Sequence, residues 1–396
     1  MSTVPVEQSV DSIWSAGDAI DFSADKELLT IDVSVVVGSQ NGSGVDQTAA
    51  YSGGGVINNG TIFSQGSSYA GVYMRNGADT VTNNTGAFIQ GYDGVNFFGL
   101  GTEKLVNAGA ITGIGVGVNF TGGDVTQIIV NNSGLIYGST GVLIQTTQLE
   151  AGATIKNSGL IETSAGTGNA ILIDQGAASK TTIVNQAGAV IKAANYAVYN
   201  ESGILALTNN GKLVGGIYDS GGAKDIITNN GSITNGAVVL SAHNDTFNGQ
   251  GSTSSVEVFG NGGKDHLIGG AHGDFLNGGL GDDTLTGGKG SDSFNFTTKL
   301  STTNVDTITD FAPGTDDIRL NPAVFHGITN DSGALTANQF SGNGTETSTT
   351  RIVYDPATGH LSYDSNGSGS GHLVQFATLA EHLSLHNTDF ALLLSG

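Results

Sequence analysis

Four aspartates recur at a fixed interval in the second half of the chain. Asp265, Asp274, Asp283 and Asp292 are nine residues apart, and Leu267, Leu276, Leu285 and Phe294 follow them at a constant offset. The text between them is rich in glycine: GNGGKDHLI, GGAHGDFLN, GGLGDDTLT and GGKGSDSFN. A carboxylate in each unit, among glycines whose carbonyls are unshielded, is an oxygen-only donor set that suits a hard cation. In each nonapeptide six residues are expected to turn and three to form a short strand that sends Leu or Phe into a core. Two units then complete one coil, so Asp265 is predicted to face Asp283, and Asp274 to face Asp292. Carboxylates brought that close repel each other unless a cation lies between them. Ca²⁺ takes about six to eight oxygens in flexible geometry, whereas Mg²⁺ resists a carbonyl-rich cage.

The repeating phrase resembles the GGxGxDxUx unit of RTX calcium-binding proteins. The resemblance implies Ca²⁺ as the bound ion. Its motif falls on Gly260, Gly262, Asp265, Gly269, Asp274, Gly278, Gly279, Gly281, Asp283, Gly287, Gly288, Gly290 and Asp292. It also implies a parallel β-roll over residues 243–296. His272 stands where the repeat expects its fourth-position glycine, which puts that turn's conformation in question. Upstream, HNDTF around Asp245 resembles a degenerate repeat set 20 residues before Asp265, out of phase by two, and weak or no metal is expected there.

Such a roll needs a scaffold, and a longer repeat precedes it. The phrase apolar-x-Asn-x-Gly-x-Ile/Val returns as VINNGTI, VTNNTGAFI, LVNAGAI, VNNSGLI, IKNSGLI, VNQAGAVI, LTNNGKL and ITNNGSI. Its glycines, from Gly60 to Gly231, are 20 to 29 residues apart. Each unit holds further apolar runs, such as GVYM, GVLI and TQIIV. Three short strands per unit predict one coil of a right-handed parallel β-helix over residues 51–242, all-β in class. Asn is expected at a corner, where it tolerates a left-handed backbone and can ladder its amide between coils, with Gly closing the turn. The pattern resembles the Asn-Gly repeats of bacterial surface β-helices such as autotransporter passengers and haemagglutinin-like adhesins. Residues 1–50, with the only tryptophan, Trp14, are read as an N-terminal cap over an open end.

After Phe296 come DTITDFAPGTDDIRL, RIVYDPATGHLSYDSNGSGSGHLVQFATL and DFALLLSG. These phrases resemble the C-terminal module that follows the RTX repeats in serralysin-type proteases and other type I secreted proteins. The resemblance covers roughly Phe294 to Phe390. It implies that residues 297–396 carry an uncleaved secretion signal read by an ABC exporter, and hence an extracellular or cell-surface location. Residues 1–29 lack a basic segment followed by an apolar one, so no N-terminal secretory signal is expected. No apolar run has the length of a membrane span. Asp364 and Asn366 offer oxygens for a further cation, or simply close a turn.

Composition narrows the function. The net charge is −22, from 13 basic and 35 acidic residues, so nucleic acid is not an expected partner. Cysteine is absent, which excludes disulfides and thiolate zinc sites. No His-Glu pair exists for an HExxH zinc site, and residues 1–242 contain no histidine and one arginine, Arg75. Asp79 and Asp93 are the nearest approach to paired glycosidase carboxylates. Phe88, Tyr92, Phe97 and Phe98 are read as stacked core aromatics rather than a sugar-binding strip. His382 and His386, spaced for one face of an amphipathic helix, lack a third ligand. With no catalytic residues assigned, the expected function is a secreted, calcium-dependent structural or adhesive protein of a surface layer or biofilm matrix. Self-association and a surface polysaccharide are its conceivable partners. The alternative is a polysaccharide-active β-helix enzyme.

Overall fold

Short β-branched runs broken by glycine and asparagine pair in parallel with their counterparts one turn further along the chain. The computed structural model describes residues 5–8, 13–22, 25–47, 53–164, 166, 168–174, 179–328, 335–367 and 372–393. The architecture is an all-β parallel solenoid. The chain divides into two compact units, Met1–Ala223 with Thr234–Gly236, and Lys224–Ile233 with Ala237–Gly396.

The first unit has three strands per coil, in three parallel ladders. One ladder runs through Leu28–Ile31, Gly55–Asn58, Thr80–Asn83, Thr102–Asn107, Gln127–Asn132, Ala153–Asn157, Lys180–Asn185 and Ile204–Asn209. A second includes Val36–Ser39 and Thr61–Ser64, and a third Ile20–Asp21, Val45–Asp46 and Val72–Arg75. Because strand residues alternate sides, one column of side chains per ladder is sealed inside. Val56, Val81, Leu105, Val130, Ile155, Ile183 and Leu207 form such a column, all at most 1% exposed. Phe97 stacks face to face on Phe120 with centroids 4.9 Å apart. The same alternation splits the aromatic group: Phe97 is core, while Phe98 and Tyr92 are exposed on the outside.

The described strands within residues 1–50 pair with the coils that follow. Pro5–Gln8 pairs with Leu28–Ile31 and Ile13–Ser15 with Val36–Ser39, so this segment already builds coils. Its β-branched strands supply the same inward alternation as later coils but without the Asn-Gly phrase. Trp14 is half exposed and leans on the Phe63 ring, 5.3 Å away, from outside.

The corner asparagines ladder their amides between coils as expected, but without the left-handed backbone. Asn58, Asn83, Asn107, Asn132, Asn157 and Asn185 each donate from Nδ2 to Oδ1 of the next in the series, Asn185 to Asn209, at 2.8–2.9 Å. The same amide also reaches a carbonyl of the neighbouring ladder, as from Asn107 to Leu135 at 2.9 Å. None of the seven has a left-handed backbone. They end strands with the side chain inward, and after five of them the glycine two residues on makes the close approach, whereas after Asn83 and Asn185 the glycine comes third, at φ +83° and +81°. A Cβ on Gly134 would lie 2.0 Å from the Gly109 carbonyl oxygen of the preceding coil.

The second unit has two parallel ladders. One contains Ile226–Asn229, Thr246–Asn248, His266–Gly270, Thr284–Gly288, Asp306–Ile308 and Leu373–Thr378. The other contains Val238–Val239, Glu257–Phe259, Phe275–Asn277, Ser293–Phe296, Asp317–Leu320 and Phe390–Leu392. Within RIVYDPATGHLSYD the chain forms a hairpin, Ile352–Asp355 antiparallel to His360–Asp364. Phe325 packs edge-on to Tyr363 and Phe376 beneath it. The His382–His386 segment is not helical; His382 sits in a turn at φ +62°. Among the described residues the only helical segments are single 3₁₀ turns, Ala337–Gln339 and Asn387–Asp389, and no helix is long and apolar enough to cross a membrane.

The asparagine ladder generates a direct test. Asn132→Ala removes hydrogen bonds to Asn107 and Asn157 and lowers the unfolding free energy by about 2 kcal/mol. Asn131→Ala, on the outer side of the same strand, changes it by less than about 0.5 kcal/mol. Urea unfolding of the two variants distinguishes these values.

Candidate metal centre

Each strand of the nonapeptide block that enters the core is announced by Asp-x-apolar. Asp265 precedes buried Leu267, and Asp274, Asp283 and Asp292 precede buried Leu276, Leu285 and Phe294. The strand places the apolar side chain inside, and the aspartate two residues earlier falls on the same side at the turn's edge. All four aspartates are buried, at 1–2% exposure.

Coil stacking brings them together as the nine-residue period requires. The Asp265 N–H donates to Asp283 Oδ1 at 2.7 Å, and the Asp274 N–H donates to Asp292 Oδ1 at 2.8 Å. Every Oδ1 in the block thus serves as an acceptor for the coil before it, Asp265 for Asp245 at 2.7 Å and Asp274 for Val256 at 2.8 Å. The other oxygen, Oδ2, is buried in all four and accepts no hydrogen bond. It faces the first glycine of its own repeat. A Cβ on Gly260 would stand 2.3 Å from Asp265 Oδ2 and 2.4 Å from the Gly278 carbonyl oxygen. A Cβ on Gly269 would stand 2.5 Å from both Asp274 Oδ2 and the Gly287 carbonyl. Gly278 and Gly287 have the same relation to Asp283 and Asp292 Oδ2, at 2.3 and 2.4 Å. The cradle exists because these positions have no side chain, and its donors are all oxygens.

The remaining glycines set the turn. Gly279 and Gly288 lie at φ +103° and +100°, and Gly281 and Gly290 at φ +124° and +125°. In the first repeat these places are taken by Asn261, at φ +68°, and Gly263, at φ +120°. Gly263, not Gly262, is therefore the required glycine; a Cβ on Gly262 would meet nothing closer than 3.8 Å. In the repeat with His272, neither Gly270 nor His272 has a positive φ, so that turn is rebuilt, yet Asp274 keeps the common geometry.

The aspartate columns extend past the nonapeptides. One continues to Asp245, whose Oδ1 accepts the Asp225 N–H at 2.7 Å, and in the other direction to Asp306, which accepts the Asp283 N–H at 3.2 Å. The other reaches Asp316, which accepts the Asp292 N–H at 3.0 Å. The Asp-x-apolar signal was present at all of these positions and legible at Asp245, but intervals of 23 and 24 residues hide it at Asp306 and Asp316 from a nine-residue period. Asp245 and Asp316 differ from the central four because their second oxygens are satisfied. Ser241 N–H and Oγ bond Asp245 Oδ2 at 3.1 and 2.8 Å, and Ala312 N–H bonds Asp316 Oδ2 at 2.8 Å. Asp310 also secures the turns, accepting the N–H groups of Gly287 and Gly288. Asp364, buried, accepts the Asn366 N–H at 2.9 Å in a turn and leaves Oδ2 without a partner.

Burial raises the carboxylates of the block, and the neighbouring aspartate charges add to it. Asp265 is pushed up to about 8 and Asp274 to about 6, from 3.8; Asp283, Asp292 and Asp306 also rise. A folded roll without cations therefore holds protons that the unfolded chain releases above about pH 4. That contribution is complete at lower pH and is lost as pH rises through 6 towards 8. With divalent cations chelated, thermal unfolding of the roll should come at a higher temperature at pH 5 than at pH 8; calorimetry showing the opposite order would refute the assignment of these buried acids.

No curated protein matches the chain. Residues 259–294 match the RTX calcium-binding nonapeptide repeat in four copies, the same segment that carries the orphaned Oδ2 atoms and the glycine cradles. Within a parallel β-solenoid, residues 259–294 are a block of RTX calcium-binding repeats, and Ca²⁺ is the ion they bind.

Proposed function

We propose that this chain is a secreted, calcium-dependent structural or adhesive protein, acting without catalysis at a bacterial surface layer or in a biofilm matrix. The observation that carries the reading is the set of four buried Oδ2 atoms with no hydrogen-bond partner, each against a side-chain-free glycine in a block of calcium repeats. Asp265 and Asp274 Oδ2, with the Gly278 and Gly287 carbonyls, would hold Ca²⁺ on the two edges of the roll, and Asp283 and Asp292 would do so one coil on. The ion supplies positive charge where desolvated carboxylates would otherwise repel, so ion binding contributes directly to folding.

That linkage suits export. At low cytosolic Ca²⁺ the aspartates keep the roll open, a form that a type I ABC exporter can thread. At millimolar external Ca²⁺, sites of the weak extracellular class fill and the roll closes. Residues 297–396 are the proposed exporter signal. Long flat solenoid faces support self-association into fibres or layers, with surface polysaccharide as a further partner.

The polysaccharide-enzyme alternative finds little support in its own candidate residues. Asp79 is fully buried with the interior strand residues. Asp93 accepts the Val116 N–H at 3.2 Å and the Asn96 and Asn119 amides at 3.0 Å, so it is committed to holding a corner.

Two measurements test this reading. Chelation of the purified chain should remove β-signal in circular dichroism, and Asp283→Asn, which keeps an acceptor but loses charge, should weaken Ca²⁺ binding ~tenfold or more by calorimetry; an unchanged spectrum on chelation would sink the calcium-linked fold. Incubation with acidic and neutral glycans should give no products with or without Ca²⁺; turnover abolished by Asp79→Asn or Asp93→Asn would establish the enzyme instead.

A further inference from the structure

The first unit hides two carboxylates that the nonapeptide block does not explain. Asp79 stands just before Thr80–Asn83, and Glu103 is the second residue of Thr102–Asn107. Thr80 pairs with Lys104, so Asp79 and Glu103 occupy equivalent places in consecutive coils, joined by the Lys104 N–H to the Asp79 carbonyl at 2.9 Å. Both side chains point inward, at 0% and 1% exposure. Of their carboxylate oxygens only Asp79 Oδ1 is bonded, to the Gly54 N–H at 2.6 Å. Asp79 Oδ2 and both oxygens of Glu103 accept no hydrogen bond. The Gln47 amide approaches Asp79 but falls short of bonding geometry. Among the described ion pairs neither carboxylate has a cationic partner.

The backbone makes room for the Glu103 carboxylate. A Cβ on Gly99 would stand 1.7 Å from Glu103 Oε1 and 2.9 Å from the Gly77 carbonyl oxygen. A glycine at 99 thus clears the point where the Glu103 carboxylate and a main-chain carbonyl converge. Two desolvated, unpaired carboxylates side by side are among the costliest arrangements a core can hold. Desolvation, and then the charge of Asp79, drive Glu103 up to about 9 in the absence of a counter-ion.

We propose that Asp79 Oδ2, the Glu103 carboxylate and the Gly77 carbonyl bind one Ca²⁺ inside the first unit, separate from the nonapeptide sites. The donor set is oxygen alone, which disfavours metals that seek nitrogen or sulfur. Carboxylates and a carbonyl fixed by the backbone suit the flexible coordination of Ca²⁺ better than the strict octahedron of Mg²⁺. A divalent charge neutralises the pair where a shared proton would leave one negative charge. This site does not rest on the export and adhesion reading, and it makes the three-ladder coils themselves responsive to Ca²⁺.

The test uses the full chain. Metal analysis after equilibration in Ca²⁺ should show one ion fewer per chain for Glu103→Gln than for the unaltered protein. Hydrogen exchange of the unaltered protein should accelerate over residues 76–107 on chelation, relative to residues 127–164 in the same unit. An unchanged ion count in a folded Glu103→Gln protein, or exchange over 76–107 that tracks 127–164 with and without Ca²⁺, means the pair shares a proton and overturns the site. Should Glu103→Gln fail to fold, the exchange measurement on the unaltered protein decides alone.

Discussion

The roll depends on the divided carboxylate. Each aspartate of the nonapeptide block gives Oδ1 to a main-chain N–H of the coil before it and holds Oδ2 in a buried space with no protein donor. The first bond fixes where the side chain points, so the second oxygen cannot turn away towards water. A desolvated negative charge is thereby built into every coil, and such charges are tolerated only with a compensating ion or proton. The glycines follow from that constraint, since any Cβ at the first position of the repeat would collide with the oxygen the ion must reach.

The first unit meets the same geometric problem with a neutral answer. A solenoid repeats one inward polar position per coil, and that position stacks on itself. Asparagine carries both donor and acceptor, so Asn58 through Asn209 satisfy one another without any ion. Aspartate is acceptor only, and a column of aspartates is left one donor short at every step. One repeated side chain thus makes coils that stand by themselves, and the other makes coils that wait for a cation. Outside the nonapeptide block the shortage is met locally, by Ser241 at Asp245 and by the Ala312 N–H at Asp316.

Solvation also explains the uneven use of acidic residues. Residues 1–242 carry a net charge of −10 and residues 243–396 a net charge of −12 in a shorter stretch. The central aspartates of that stretch are buried, so part of the formal charge never faces solvent and is neutralised where Ca²⁺ is bound.

The sequence by itself determined the class of fold, the interior columns and the central site. Alternation fixes which side of a strand enters the core, and a strict nine-residue period fixes which aspartates meet, Asp265 with Asp283 and Asp274 with Asp292. It did not determine whatever depends on the length of a coil. Asp306 and Asp316 join the columns across intervals unlike the repeat, and Gly263 replaces Gly262 because the turn places φ +120° there. Residues 1–50 read as a cap for want of the Asn-Gly phrase, and their described strands pair with the coils that follow. Glu103, within TEKLVN, looks like a surface residue until coil closure sets it against Asp79 in the core. Local pattern is a property of consecutive residues, whereas partners across coils are chosen by how much chain each turn consumes, and only the folded structure decides that.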